Sequence, residues 1–208
     1  MIMIKSGNNF FIRQILHGYV TWIVSRHFHE LKFDPVNADP NKSILLIANH
    51  FSFWDSLILY MVCRKILKRK FYVMAREDTT IKFQYVKYGG AFSINKQSKD
   101  MLQSLDYAAE LLADPQNLVL IFPQGKLYSN FVSTIQFEKG IARVMEKAAG
   151  KFQLLFAATF VQYLKHKKPT ATVYLQIEPY QNKSFEDLKN AYQTHFDNAK
   201  LRQTEIVI

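Results

Sequence analysis

The sequence contains a single cysteine, Cys63, so neither an intramolecular disulfide nor a zinc site built from several cysteines can form. Long hydrophobic runs are also missing. The longest stretch without Asp, Glu, Lys or Arg is the 13 residues from Phe152 to Leu164, and a bilayer span needs about 20. His17 and Gly18 interrupt the N-terminal apolar segment and no small-residue cleavage site follows, so we expect no signal peptide. The common nucleotide-binding, serine-hydrolase and zinc-protease motifs are absent, and we expect no metal site.

The charge balance is strongly basic. The 208 residues include 27 Lys and Arg against 17 Asp and Glu, which gives a net charge of +10. Five of the seven residues from Arg64 to Lys70 are basic, and a second basic cluster spans Lys165–Lys168. Such a charge favours an acidic partner: nucleic acid, an anionic membrane surface, a phosphorylated ligand or an acidic protein. Because no nucleic-acid recognition motif is present, we expect no nucleic-acid partner.

The N-terminal region predicts an amphipathic helix. Its apolar residues at helical spacing on one side are Ile12, Ile15, Leu16, Tyr19 and Ile23. Two interpretations stay open: the helix docks on the protein core, or it lies in a membrane interface. In the second, Tyr19 and Trp22 would reach the depth of the lipid headgroups. Arg13 and Arg26 would then lie near phosphates.

Beyond residue 42, short apolar runs alternate with helical patterns. The predicted strands are Ile44–Ala48, Phe71–Ala75, Ala91–Ile94, Leu118–Phe122, Leu154–Gln162 and Thr172–Ile177. The predicted helices are Ser56–Leu67, Thr79–Tyr88, Lys99–Leu112, Ile135–Ala149 and Ser184–Ala199. Apolar strands that alternate with helices predict an α/β fold, with a mostly parallel or mixed sheet covered by helices on both faces. We therefore expect an N-terminal amphipathic helical segment (residues 1–33) and one α/β domain (residues 34–208).

One polar segment, NHFSFWD at residues 49–55, stands where an apolar strand ends and an apolar helix begins. Sheets of α/β proteins place their ligands at such strand ends. With His50 in the turn and Asp55 in the first helical turn, the two side chains can meet. A carboxylate on one imidazole nitrogen fixes the tautomer and prepares the other nitrogen as a general base. Taken alone, the segment also fits a helix N-cap beside a buried histidine.

Two further strand ends favour a functional site over a simple helix N-cap. The strand Leu118–Phe122 is followed by Pro-Gln-Gly-Lys. There Gly125 allows the backbone to approach a ligand closely, and Lys126 supplies a cation beside it. The segment Gly90–Lys96 again ends a strand in a cation.

Residues 40–165 resemble the glycerolphosphate and lysophospholipid acyltransferases, the PlsC-like family. Residues 50–55 match the His-X4-Asp motif of that family, and residues 90–96 are similar to its second block, a glycine, an apolar run and a basic residue. Residues 122–125 resemble its Phe-Pro-Glu-Gly block, and residues 137–140 the Phe-Lys-x-Gly that follows. Each motif alone is weak, but four in the right order are specific.

The resemblance implies acyl transfer from acyl-CoA or acyl-carrier protein to a lipid hydroxyl, with lysophosphatidic acid or a related lysolipid as the first acceptor. It implies that His50 deprotonates that hydroxyl and that Asp55 orients His50. It places acceptor binding at Lys96, Gln124, Gly125 and Lys126. It implies no metal, and no cofactor other than the acyl donor.

In the second and third blocks, four residues depart from the family pattern. Gln124 replaces the usual glutamate, Lys126-Leu127 replaces threonine-arginine, and Lys96 replaces arginine. Lysine lacks the guanidinium group with which arginine forms two parallel hydrogen bonds to a phosphate. The departures leave open an acyltransferase for a neutral lipid or glycolipid hydroxyl. They also leave open a non-catalytic protein of the same fold that binds lipid or an acyl carrier.

The expected location follows from the resemblance and the N-terminal helix together. We expect a cytoplasmic protein that is peripherally associated with the inner face of the cell membrane. Its expected partners are the acyl donor and a lipid acceptor. The sequence predicts no oligomeric state.

Overall fold

A computed structural model describes residues 3–94, 101–148, 150–179 and 184–207. Within these ranges, seven strands form one sheet: β1 (Glu30–Phe33), β2 (Ser43–Ala48), β3 (Lys70–Arg76), β4 (Ala91–Ile94), β5 (Asn117–Ile121), β6 (Phe152–Gln162) and β7 (Thr170–Glu178). The α-helices of the same ranges are α1 (Phe10–His27), α2 (Trp54–Val62), α3 (Glu77–Lys82), α4 (Met101–Leu111), α5 (Gly140–Ala148) and α6 (Phe185–Thr204).

The strand order is β1-β7-β6-β2-β5-β3-β4. All neighbours are parallel except β6 and β7, which form an antiparallel hairpin. β2 therefore lies at the centre between β5 and β6, and all six of its residues are buried. Because β2, β5 and β6 are parallel, their carboxyl ends meet at one edge of the sheet. This confirms the predicted α/β fold with a mixed sheet.

Two hydrophobic cores cover the two faces of the sheet. Alternate side chains of β2 divide between them: Leu45 and Ile47 pack towards α4, α5 and α6, whereas Ile44 and Leu46 pack towards α1 and α2. A buried strand in a mostly parallel sheet needs apolar side chains on both faces, and the continuous run SILLIA meets that need.

Helix α1 docks on the core that it shares with α2, but an apolar stripe on its other side remains exposed. Val24, in its last turns, and the next residue after the helix, Phe28, are buried. The stripe, which faces away from the core, consists of Phe11, Ile15, Tyr19 and Trp22, with exposed fractions of 78%, 70%, 51% and 55%. The first of the two interpretations, docking on the core, is thus confirmed for one side of the helix only. In the described part of the chain, no helix is both long and apolar enough to span a bilayer.

The six predicted strands are all present, but the helices differ in detail. The N-terminal helix ends at His27, and residues 30–33 form the unpredicted strand β1. The predicted helix 56–67 ends in a π-helical turn (Cys63–Leu67), and the predicted helix 79–88 breaks into α3 and a 3-10 helix (Gln84–Gly89). α5 begins only at Gly140, and the residues before it are bonded to other elements: the Ile135 N–H donates to the Gln193 side chain on α6, and the Glu138 N–H donates to the Pro123 carbonyl.

Gly90 is required where the chain enters β4. Its φ is +100°, in the left-handed region, and a Cβ there would overlap the main-chain oxygen of Phe71. We expect Gly90→Ala to lower the free energy of unfolding by at least about 2 kcal/mol, because the backbone conformation and the overlap both penalise a side chain. Urea unfolding measures this change.

Gly18 is the matched control. It lies inside α1, and a Cβ there would meet no atom within 4 Å. Gly18→Ala should raise the free energy of unfolding by about 0.5–1 kcal/mol, because alanine loses less backbone entropy in a helix. Equal effects of the two substitutions would contradict the steric argument at Gly90.

Candidate active site

The candidate site begins where β2 ends. The Asn49 side chain forms two hydrogen bonds with the main chain of Thr159 on β6: its Nδ2 donates to the carbonyl oxygen at 3.0 Å, and its Oδ1 accepts from the N–H at 2.8 Å. These bonds continue the pairing of β2 with β6 by one residue after the strand itself has stopped. The loop that follows, residues 50–53, therefore starts from a fixed point on the sheet.

His50 and Asp55 meet across this loop. The distance between His50 Nδ1 and Asp55 Oδ2 is 2.8 Å. A carboxylate only accepts hydrogen bonds, so Nδ1 carries the proton and donates it, which leaves Nε2 as a basic nitrogen. The His50 side chain is 22% exposed, whereas Asp55 is fully buried. An imidazole that solvent can reach is thus held by a carboxylate that solvent cannot reach.

Asp55 also shapes the loop around His50. The same oxygen, Oδ2, accepts hydrogen bonds from the main-chain N–H groups of Phe51 at 2.7 Å and Ser52 at 2.8 Å. Asp55 lies in the first turn of α2, where the helix dipole favours a negative charge. Three donors and the helix end offset the cost of burying this carboxylate. Its second oxygen, Oδ1, is buried and has no hydrogen-bond partner among the described residues.

The turn after β5 holds His50 from a second direction. The Phe122 ring stacks on the imidazole, with centroids 4.0 Å apart and planes 13° from parallel. The buried Gln124 side chain accepts a hydrogen bond from the His50 N–H, with Oε1 at 2.6 Å. The Tyr128 N–H donates to the His50 carbonyl at 3.0 Å. Ring and main chain of His50 are therefore both fixed by residues 122–128.

Gly125 makes this turn tight. Its φ is +63°, in the left-handed region, and its N–H donates to the Phe122 carbonyl at 3.1 Å. The neighbouring Pro123 carbonyl accepts a hydrogen bond from the Glu138 N–H at 2.8 Å. The segments 122–125 and 137–140, which the sequence marks as two separate motifs, thus contact each other.

The predicted site residues fall into three groups. His50 and Asp55 are in direct contact, and Gln124 and Gly125 belong to the turn that packs on His50. Lys126 is exposed, and its Nζ lies 5.2 Å from the centre of the Tyr128 ring. Lys96 lies outside the described residues. Among the residues that are described, no group of three or more His, Cys, Asp or Glu side chains is placed to hold a metal ion.

Sequence reasoning missed several contacts that support the site. It assigned no role to the Asn49 side chain, to the stacking of Phe122 on His50, or to Tyr192, whose hydroxyl donates to the Ala157 carbonyl at 2.8 Å. It placed Gln124 with the acceptor, but the contact that the structure shows for Gln124 is with the His50 main chain. The position of Asn49 directly after a buried strand was the one available signal.

Asp55 should matter for folding as well as for orientation. We expect Asp55→Ala to lower the free energy of unfolding by about 2–4 kcal/mol, because the N–H groups of Phe51 and Ser52 would lose their acceptor. Asp55→Asn keeps an oxygen in reach and should cost less. His50→Ala should cost only about 1 kcal/mol, because its ring is partly exposed. Urea unfolding at neutral pH compares the three, and a larger loss for His50→Ala would contradict this account.

A family model described as Acyltransferase matches residues 30–163. No curated protein matches the sequence. The matched range runs from β1 to the residue after β6 and contains both loops that meet at His50. Because the match covers more than half of the chain, the chain belongs to the acyltransferase family.

Proposed function

We propose that this acyltransferase is PlsC-like and moves a fatty acyl group from acyl-CoA or acyl-carrier protein to the hydroxyl of a lysolipid, with lysophosphatidic acid as the first candidate. The observation that carries the proposal is the 2.8 Å hydrogen bond between His50 Nδ1 and Asp55 Oδ2, in which the His50 side chain remains 22% exposed. This is the arrangement that a general base for a hydroxyl group requires.

In the proposed reaction, Nε2 of His50 takes the proton of the acceptor hydroxyl. The oxygen attacks the carbonyl carbon of the thioester, and a tetrahedral intermediate forms. When the carbon–sulfur bond breaks, the thiolate leaves and accepts this proton from the imidazolium. The products are an ester and a free thiol, and no covalent acyl-enzyme is needed. Asp55 stabilises the imidazolium without taking its proton.

The intermediate carries a negative oxygen that needs hydrogen-bond donors. The N–H of Gly125 is already used within its turn, on the Phe122 carbonyl. The N–H of the next residue, Lys126, makes no hydrogen bond with the described residues. We therefore assign the oxyanion to the main chain at Lys126.

The acceptor side of the proposal rests on charge. A phosphate monoester carries nearly two negative charges near neutral pH, so it needs cations close to the site. Lys126 lies on the turn that packs against His50, and Lys96 is the basic residue that ends the second motif, residues 90–96. Gln124 brings no negative charge to this region, unlike the glutamate of the family pattern. An acceptor with a neutral headgroup is the second candidate, because lysine at positions 96 and 126 lacks the guanidinium fork.

We further propose that the protein acts at the inner face of the cell membrane as a peripheral protein. The outward stripe of α1 supports this, since Tyr19 and Trp22 are residue types that favour a membrane interface. Arg26 lies beside the Trp22 ring at 5.7 Å. Close to the site, Phe53 is 69% exposed on the loop that carries His50. A lipid acceptor would reach the site from the same surface.

Loss of the base tests the proposal. We expect His50→Ala to lower the rate of acyl transfer by about 10²–10⁴-fold, because the acceptor hydroxyl loses its proton acceptor. Asp55→Asn should lose less, because the imidazole remains and only its orientation and charge balance suffer. The measurement is thiol release from acyl-CoA or acyl-carrier protein in the presence of a panel of acceptor lipids.

The control is His27→Ala. His27 is an exposed histidine at the end of α1 whose Nδ1 contacts the Ile23 carbonyl, and it should leave the transfer rate unchanged. Unchanged turnover of the His50→Ala protein would overturn the mechanism. Absence of thiol release by the unaltered protein with every acceptor would instead favour the non-catalytic, lipid-binding alternative.

The lysines test the nature of the acceptor. If the acceptor is phosphorylated, Lys126→Ala should raise its KM by about tenfold with a smaller effect on kcat, because a contact with the ground state is lost. Lys96→Ala should act in the same way on the basis of its motif position. Lys151→Ala is the control, because Lys151 directly precedes β6 and so lies at the end of the sheet opposite to His50. Normal kinetics of both site variants would exclude a phosphate monoester and favour the neutral acceptor.

A further inference from the structure

The hairpin between β6 and β7 extends beyond the candidate site. Asn49 is bonded to Thr159, so these two residues mark the level of the catalytic loop on β6. β6 continues three residues further, to Gln162, which is about 10 Å at 3.3 Å per residue. The connecting turn, residues 163–169, therefore stands beyond the edge of the sheet at which His50 lies.

The tip of this hairpin is apolar and exposed. Tyr163 is 63% exposed and Leu164 is 36% exposed. Leu164 has a φ of +49°, and within the described ranges only Lys68 shares a positive φ without being glycine. A leucine in the left-handed region is uncommon, since its Cβ is strained there. The fold thus accepts an unfavourable backbone conformation at the tip of the hairpin.

Three lysines follow the apolar tip directly: Lys165, Lys167 and Lys168. They form no ion pair with the described residues. The turn itself is well held, because the His166 N–H donates to the Tyr163 carbonyl at 3.0 Å and the His166 ring stacks on His29 at 3.5 Å. The lysines are therefore presented by a fixed turn.

A tyrosine and a leucine at the tip, with three lysines directly behind them, match the two layers of an anionic membrane surface. Apolar side chains enter the boundary of the acyl chains, and lysines contact lipid phosphates. A soluble acidic protein would match the lysines but would give no reason for an exposed tyrosine and a strained leucine in front of them. The hairpin also lies at the sheet edge from which a lipid acceptor must enter.

We propose that the hairpin turn, residues 163–168, inserts Tyr163 and Leu164 into an anionic lipid surface while Lys165, Lys167 and Lys168 bind its phosphates. The inference rests on the membrane association in the proposed function and gives it a second attachment besides α1. Attachment on the catalytic side would place His50 next to the headgroups that carry the acceptor hydroxyl.

Two sets of substitutions test the hairpin. Tyr163→Ser with Leu164→Gly removes the apolar tip, and glycine adopts the φ of residue 164 without strain, so this variant should fold. Lys165→Gln, Lys167→Gln and Lys168→Gln remove the cations. The controls are Leu201→Ser, an exposed leucine on α6, and the set Lys42→Gln, Lys65→Gln and Lys151→Gln, three exposed lysines that form no ion pair with the described residues. Sedimentation with vesicles of phosphatidylcholine, with and without an anionic phospholipid, measures binding.

We expect the apolar variant to bind both kinds of vesicle about tenfold more weakly. The lysine variant should lose roughly 100-fold in affinity for anionic vesicles at low salt, from about fivefold for each lysine, and little for neutral vesicles. With a short-chain acceptor dissolved as monomers, both variants should release thiol at the unaltered rate. With the acceptor embedded in vesicles, both should be slow.

Equal vesicle binding by hairpin variants and controls would overturn the inference. So would an equal loss of turnover on dissolved and embedded acceptors, since the hairpin would then belong to the catalytic site. If no acceptor supports thiol release but vesicle binding still depends on the hairpin, the proposed function fails and the membrane attachment stands.

Discussion

The hydrogen bond between His50 and Asp55 depends on a loop that brings residues five apart in the sequence into contact. A single oxygen of Asp55 accepts from the imidazole and from the N–H groups of Phe51 and Ser52. The carboxylate that holds the imidazole therefore also fixes the loop that carries it. A fully buried carboxylate would otherwise be costly, and the first turn of α2 supplies the positive end of a helix dipole.

The sheet supplies the rest of the site through the two neighbours of β2. On one side, β6 receives the Asn49 side chain and fixes the start of the loop. On the other, the turn after β5 presents Phe122 to the imidazole ring and Gln124 to the His50 N–H. All three strands are parallel, so their carboxyl ends converge at one edge. Strand order, rather than any single motif, brings separate segments of the sequence to His50.

Much of this fold could be predicted because its signals are local. Apolar runs such as SILLIA identify buried strands, and the spacing of His50 and Asp55 across a strand-to-helix turn allows their contact. The strand β1 gave no such signal. It is an outermost strand of only four residues, and it forms only by pairing with β7, which lies far along the chain. The stacking of Phe122 and the amide contact of Gln124 depend on tertiary packing in the same way.

The measurement that tests the account most directly is a double-mutant cycle on acyl transfer. Thiol release is compared for the unaltered protein, His50→Ala, Asp55→Asn and the double variant. If Asp55 acts through His50, removing its charge should cost nothing further once the imidazole is gone, so the double variant should equal His50→Ala. If Asp55→Asn lowers the rate by the same factor in both backgrounds, the two side chains act independently and the central claim is wrong.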